Sequence, residues 1–423
     1  MNLPLQRSIV FAILFSVFAS SAVVASTCDP HTYGAKGDSV TKDTAAIQAA
    51  IDACATHAGG TIRLSAGTYL IAPIVLKSHV TLQLDRGATL LGSSDHHDYP
   101  PKQEFRAPGL QSLVSATDAT DVSITGEGVI DGAGQSWWAM AKSTKNAGVM
   151  GSDFLRPRLI VFDHCTHVLI EGVPSRIHRC GQLVPYYSDD VRIRNVRILA
   201  PADSPNTDAI DPFSSSHVRI DHVFADVGDD NVAIKSGGAN SPGPDQPSRD
   251  ITITDCTFLH GHGLSIGSEI AGGAQNIRAR RIHFKGTDNG IRIKANRDRG
   301  NDVGPVFIRD VEMINVKNAL VLSEYYPKLL PPDHDLAQPL TRLTPHFHDI
   351  TIDNLTVTES ASAGVIIGLP EAPIQRVVLH NIKINATKGL TIGDAEVSES
   401  GVIIKTTEGE PLTKLAGSSI TVH

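Results

Sequence analysis

Short runs of alternating β-branched residues recur along this chain, and that repetition constrains its fold more than any other feature. The runs begin at Val80, Val122, Val168, Val191, Val218, Ile251, Ile277, Val306, Ile350 and Val377. From Val168 to Ile277 successive starts lie roughly 23 to 33 residues apart, the length of one solenoid coil. Each unit reads as strand, turn, strand, corner. Asn195, Asp221, Asp255, Asp310, Asn354 and Asn381 fall at the turns, where Asn and Asp tolerate left-handed backbone. A sandwich also makes many short strands. Mutual resemblance of the units favours a solenoid instead, because apolar residues then stack coil over coil into a continuous core.

The open end of a solenoid exposes unpaired backbone and needs a cover. Residues 44–54 form the clear amphipathic helix near the N-terminus, with Asp43 as N-cap and Ile47, Ile51 and Cys54 on one face. The expected architecture is all-β, a single parallel β-helix with this short N-terminal capping helix. An insertion over residues 327–347 interrupts the repeat and is expected as a surface loop that shapes a cleft.

Composition agrees. Aromatics are 5% of the chain, with 36 Gly, which suits short strands and tight corners better than a helical bundle. A net charge of −8 argues against a nucleic-acid partner. It also opposes an acidic polysaccharide, unless the fold gathers a local basic patch. Arg7 precedes an apolar run from Ile9 to Val24 that ends in small residues, so residues 1–25 read as a signal peptide and 26–423 as the mature domain. The run is short for a membrane span and lacks a basic stop-transfer flank. A secreted or periplasmic monomer, free of the membrane after processing, is expected. Of five cysteines, Cys28 and Cys54 flank the first segment and are expected to pair. No Cys/His spacing suits zinc, so neither metal nor other cofactor is expected.

Four polar motifs occupy successive coils: Asn206-Thr207-Asp208, Gly228-Asp229-Asp230, Gly261-His262-Gly263 and Arg292-Ile293-Lys294. Coil spacing would stack them on one face, with neighbouring strands about 4.8 Å apart. Three carboxylates, an imidazole and two cations then converge, supplying the missing basic patch. Glycoside hydrolysis needs one carboxylic acid to protonate the leaving oxygen and a carboxylate to activate water or attack carbon. Crowding of Asp208, Asp229 and Asp230 raises at least one pKa and so provides the acid. Arg292 and Lys294 alternate along a strand, share a face, and suit a substrate carboxylate. Each motif alone is an ordinary turn or strand face; four in this order at coil spacing are not.

That order resembles the polygalacturonase family of glycoside hydrolases (family 28). The stretches YGAKGDSVTKDTAAIQAAIDAC and LKSHVTLQLDRGATLLGS are also similar to its members, and the likeness spans most of the mature chain. The resemblance implies a right-handed parallel β-helix, inversion at the anomeric carbon, no obligatory metal, and pectin or oligogalacturonides as substrate. It implies Asp229 as general acid, Asp208 and Asp230 sharing activation of water, and His262 supporting the acid. Asn206 belongs to the substrate-binding set, and Arg292 and Lys294 bind the galacturonate carboxylate. A family tyrosine is expected at Tyr325, with Tyr326 next in line.

Two departures stand out. Ala209 follows Asp208 where many members have Gly. After Val173, resembling proteins read like TIQNSPMW, whereas this chain reads PSRIHRCG over residues 174–181. The same codons read one base out of frame give the second string, so a local double frameshift is expected there. The His262, Arg292 and Lys294 set favours homogalacturonan over rhamnogalacturonan. A pectate lyase and a non-catalytic binding solenoid are the other classes, and the loop over residues 328–344 tilts the expectation toward exo action.

Overall fold

Side chains alternate across a strand, so branched residues at every second position give each coil one inward face. In the computed structural model, which describes residues 26–57, 59–146, 154–176, 183–332 and 335–423, those faces stack in register. One column runs Ile62, Leu82, Ile124, Ile170, Ile193 and Ile220. It continues through Ile253, Ala279, Ile308, Ile352 and Leu379. All are buried, and each large aliphatic member contributes about 1.5–3 kcal/mol over an exposed position. Such columns build one apolar interior from Ala35 to Val397. The fold is the expected right-handed parallel β-helix.

Corners follow the expected chemistry with one exception. Asn195, Asp255, Asp310, Asn354 and Asn381 have φ between 52° and 56°. At the remaining corner the left-handed residue is His222 (φ 50°), not Asp221. Asp221 instead ends the strand Ser216–Asp221 and accepts a hydrogen bond from Thr254 Oγ1.

The capping helix spans Thr44–Thr56 and buries Ile47, Ala50, Ile51 and Cys54. Asp43 stands at its N-cap position, but the carboxylate accepts from the backbone N–H groups of Lys36 and Gly37 rather than from the helix. A disulfide joins Cys28 on the first strand to Cys54 on the helix, fastening the cap to the solenoid.

A second stack of strands carries the polar motifs. It runs Val114–Thr117, Ile160–Asp163 and Leu183–Tyr186, then through bridges at Ile210 and Phe213 to Val232–Ile234, Leu264–Ile266, Asn289–Lys294 and Asn318–Ser323. Residues 327–345, where described, form no helix or strand. This loop is pinned nonetheless. Asp335 accepts from Arg297 and Tyr325, while Arg342 and Arg106 both reach Asp245, whose side chain is 3% exposed. Pro174 precedes the two-residue strand Ser175–Arg176, and its carbonyl accepts from Ile130 N–H. Residues 1–25 and most of the 174–181 stretch, Cys180 included, lie outside the described residues.

Candidate active site

Backbone hydrogen bonds tie three of the motifs into adjacent coils. Ala209 N–H donates to Asp230 O (2.8 Å), His262 N–H to Asp229 O (2.9 Å) and Asn231 N–H to Gly263 O (3.0 Å). The coil carrying Arg292 follows, with Arg292 in register with Ser265. The glycines around His262 are a steric requirement. Both have positive φ, and a Cβ would lie 2.2 Å from Asp229 O at Gly261 and 2.1 Å from Asn289 O at Gly263.

Asp230 is the buried hub. Its Oδ1 accepts from Ser265 Oγ (2.8 Å) and from the Arg292 guanidinium, and its Oδ2 from Lys294 Nζ (3.0 Å). Arg292 and Lys294 do share one face. Asp229 Oδ1 accepts from Asp230 N–H (2.9 Å) and lies 2.9 Å from His262 Nδ1. On its other side His262 Nε2 sits 3.5 Å from Asp288.

Asp208 meets a partner that the four motifs do not include. Lys235 Nζ lies 2.8 Å from Asp208 Oδ2 and 3.4 Å from Asp211 Oδ2. A lysine closing the apolar run Val232-Ala-Ile was the available signal, since it follows the Asp229–Asp230 corner on the same strand stack.

These contacts push the carboxylates apart in acidity. Burial raises Asp208, reinforced by Asp229 and Asp230 and opposed by Lys235. Burial likewise carries Asp211 well above the usual range, with Asp208 adding to it. Burial would also raise Asp230, but Arg292 and Lys294 outweigh it and hold the group far below. At Asp229 burial is outweighed by the His262 hydrogen bond, so its pKa is lowered. His262 is raised, because contact with Asp229 overcomes the opposing effect of burial. Burial first, and crowding after it, therefore raises Asp208 and Asp211, whereas Asp229, expected as the acid, is not the raised carboxyl. Within the Asp229–His262 pair each group shifts the other toward its charged form.

Other site candidates are placed differently. Asn206 is exposed at φ 55°, with Oδ1 accepting from Arg156 (2.7 Å). Tyr325 turns away from the aspartates: its hydroxyl donates to Asp335 (2.6 Å) and its ring is buried with Val321, Val365 and Leu369. Tyr326 lies against the cluster, its ring centroid 5.1 Å from Lys294 Nζ. Asp229, Asp230 and His262 offer ligand atoms within 4.8 Å of one another, yet Arg292 and Lys294 would repel a cation there.

Comparison with known proteins identifies the family of the chain as a whole. The family model for glycosyl hydrolases family 28 matches residues 54–411. A probable polygalacturonase of Vitis vinifera is 30% identical over 412 residues, covering 92% of this chain and 81% of that one. An endo-polygalacturonase of Pectobacterium carotovorum subsp. carotovorum is 30% identical over 384 residues, covering 86% and 89%. Among solved structures, an exopolygalacturonase of Thermotoga maritima superposes with a TM-score of 0.74 at 25% identity, over 94% of this chain and 91% of that one. On the extent of that match, from the capping helix to the last coils, the chain is a glycoside hydrolase belonging to glycosyl hydrolases family 28.

Proposed function

We propose that the protein hydrolyses α-1,4-galacturonosyl linkages in pectin and polygalacturonate with inversion, acting from a chain end. The observation that carries this reading is the pair Arg292 and Lys294, held on one face beside the Asp229–His262 pair. A neutral sugar gives no reason to gather two cations there, whereas a galacturonate carboxylate does.

The roles follow from the contacts. Asp229 is the general acid, taking a proton from His262 and passing it to the leaving oxygen. Asp208 and Asp230 activate water, with Lys235 keeping Asp208 available as a base. An incoming galacturonate competes with Asp230 for Arg292 and Lys294. Its binding thereby raises the basicity of Asp230 as the substrate arrives. Tyr326 takes the aromatic place expected of Tyr325.

Exo action is supported by the sheet face beyond Arg292. Arg292 pairs in register with Val321, and Val321 with Val365. Both valines are covered, at 1% and 8% exposure, by a satellite cluster that includes Tyr325 and Leu369. The polar face therefore stops one coil past Arg292. In this reading residues 1–25 are removed on export, residues 26–423 act as a monomeric glycosidase domain, and the partner is the acidic cell-wall polysaccharide. Among the described residues no helix is long and apolar enough to cross a membrane.

Proton NMR of the first products from polygalacturonate tests the proposal. The β-anomer appearing first, with short uniform products from the outset, supports it. First appearance of the α-anomer would refute inversion, and an early ladder of long oligomers would refute exo action.

A further inference from the structure

The strand His346–Ile367 opens with His346 and His348, two residues apart and therefore on one face. Across the ladder, Asp302 pairs in register with His346. Both imidazoles converge on a single carboxylate oxygen: His346 Nδ1 lies 3.2 Å and His348 Nε2 2.9 Å from Asp302 Oδ1. The far nitrogen of His348 is taken as well, with Nδ1 2.7 Å from Asp349 Oδ2, and Arg376 in turn holds Asp349.

That outer contact fixes the ring. With the Nδ1 proton given to Asp349, Nε2 of a neutral imidazole turns its lone pair toward Asp302. Two acceptors at 2.9 Å repel unless a cation lies between them, either a second ring proton or a metal ion. A carboxylate on the remote nitrogen is the usual support for a metal-binding histidine. Among the described residues no other carboxylate oxygen is met by two imidazoles. Asp121 meets His79 and His167 through different oxygens, at 3.1 and 3.2 Å.

We infer that Asp302, His346 and His348 bind a divalent transition-metal ion of zinc's kind, leaving a remaining position open to water. Zinc–nitrogen and zinc–oxygen bonds of about 2.0–2.2 Å at tetrahedral angles separate neighbouring ligand atoms by about 3.3 Å. The two distances to Asp302 Oδ1 are within a few tenths of that edge. Imidazole and carboxylate together suit zinc, copper or nickel rather than calcium. The side chains of Asp302 and His346 are 46% and 42% exposed, so an ion can enter, while His348 is held at 15%. His346 is where the loop over residues 327–345 rejoins the solenoid. Asp302 closes the segment that leaves the Arg292–Lys294 strand. The ion would staple these two together and stabilise the native state by mass action.

The mature chain, stripped with EDTA, is titrated with zinc sulfate by calorimetry and followed by its thermal midpoint. One ion per chain is expected, with a rise in the midpoint. His346→Gln and His348→Gln should each weaken binding more than tenfold and abolish that rise, while keeping the wild-type midpoint without zinc. Asp349→Asn should weaken binding about 10- to 100-fold. Absence of binding, or affinity unchanged in both histidine variants, overturns the site. So does zinc binding that survives in those variants and is lost in His262→Ala, since the ion would then lie in the catalytic cleft.

Discussion

Replacing Lys235 by Met should move the acid limb of the rate profile to higher pH. Lys235 stands 2.8 Å from Asp208, whose side chain is 10% exposed. At an effective dielectric of about 20, opposite charges at that distance attract by about 6 kcal/mol, part of which offsets their desolvation. Removing one partner of a buried pair costs about 3–5 kcal/mol. The lower figure, placed on ionisation of Asp208, corresponds to a pKa rise of about 2 units. In the proposed mechanism Asp208 must be ionised to accept a proton from water. Losing the lysine raises a pKa that burial, Asp229 and Asp230 already push upward. Asp211, also on Lys235, is already carried well above the usual range by burial and by Asp208, so it stays neutral and adds no charge beside Asp208, and Glu269 is the further carboxylate acting on the lysine. The acid limb of kcat/KM on polygalacturonate should therefore rise by about 2 pH units, with activity about 100-fold down below the wild-type midpoint and recovering at higher pH. Lys235→Arg should keep most of the wild-type limb. A loss of the same size at every pH, in a protein with wild-type circular dichroism, would refute the electrostatic role and leave Lys235 a packing residue.

Other consequences can be checked separately. Lys294→Met should lower kcat/KM on polygalacturonate about 10- to 100-fold, from a lost charge-assisted contact of about 1.5–3 kcal/mol. The deficit should shrink on methyl-esterified oligomers, where the carboxylate is absent; an equal deficit on both would contradict carboxylate binding. Glu324 is buried at 0% exposure, and burial holds its pKa well above the usual carboxyl range. A carboxyl raised on folding keeps its proton where the unfolded chain loses it. Stability should then fall as pH rises from the unfolded pKa of about 4.3 toward the folded one, by up to about 1.4 kcal/mol per unit. Glu324→Gln should flatten that slope in urea midpoints measured across pH; an unchanged slope would contradict it. Cys28→Ser opens a loop with a sequence separation of 26 and should cost about 3 kcal/mol by denaturant unfolding.

Much of the architecture was legible because a solenoid repeats its physics. Stacking of the Ile124–Ile170–Ile193–Ile220 column requires only that each coil contribute a branched residue at the same phase, and the sequence displays that phase directly. The four motifs could be superposed for the same reason. Where periodicity stops, so does the reading. After Ser323 the chain leaves its strand, alternation no longer tells which tyrosine faces the cleft, and Tyr326 rather than Tyr325 meets Lys294. The role of Lys235 depends on one side chain reaching two carboxylates in the preceding coil, which no motif encodes. Charge counting found crowded aspartates. It could not show that Asp229 would spend its lone pairs on His262 and become the less protonated member. The meeting of Arg106 and Arg342 at Asp245 joins loops remote in the chain, so local sequence carries no trace of it.

Hydrolysis of galacturonosyl bonds by the Asp208–Asp229–Asp230 cluster is the proposal on which the other predictions rest. It is tested most directly by incubating the mature protein and its Asp229→Asn variant with polygalacturonic acid, following reducing ends and ultraviolet absorbance together. Hydrolysis gives reducing ends without absorbance for the wild type, and a fall of about 100-fold or more in a variant that remains folded. Absorbance rising with the reducing ends would mark elimination in place of hydrolysis. An Asp229→Asn variant as active as the wild type would remove the cluster from the reaction.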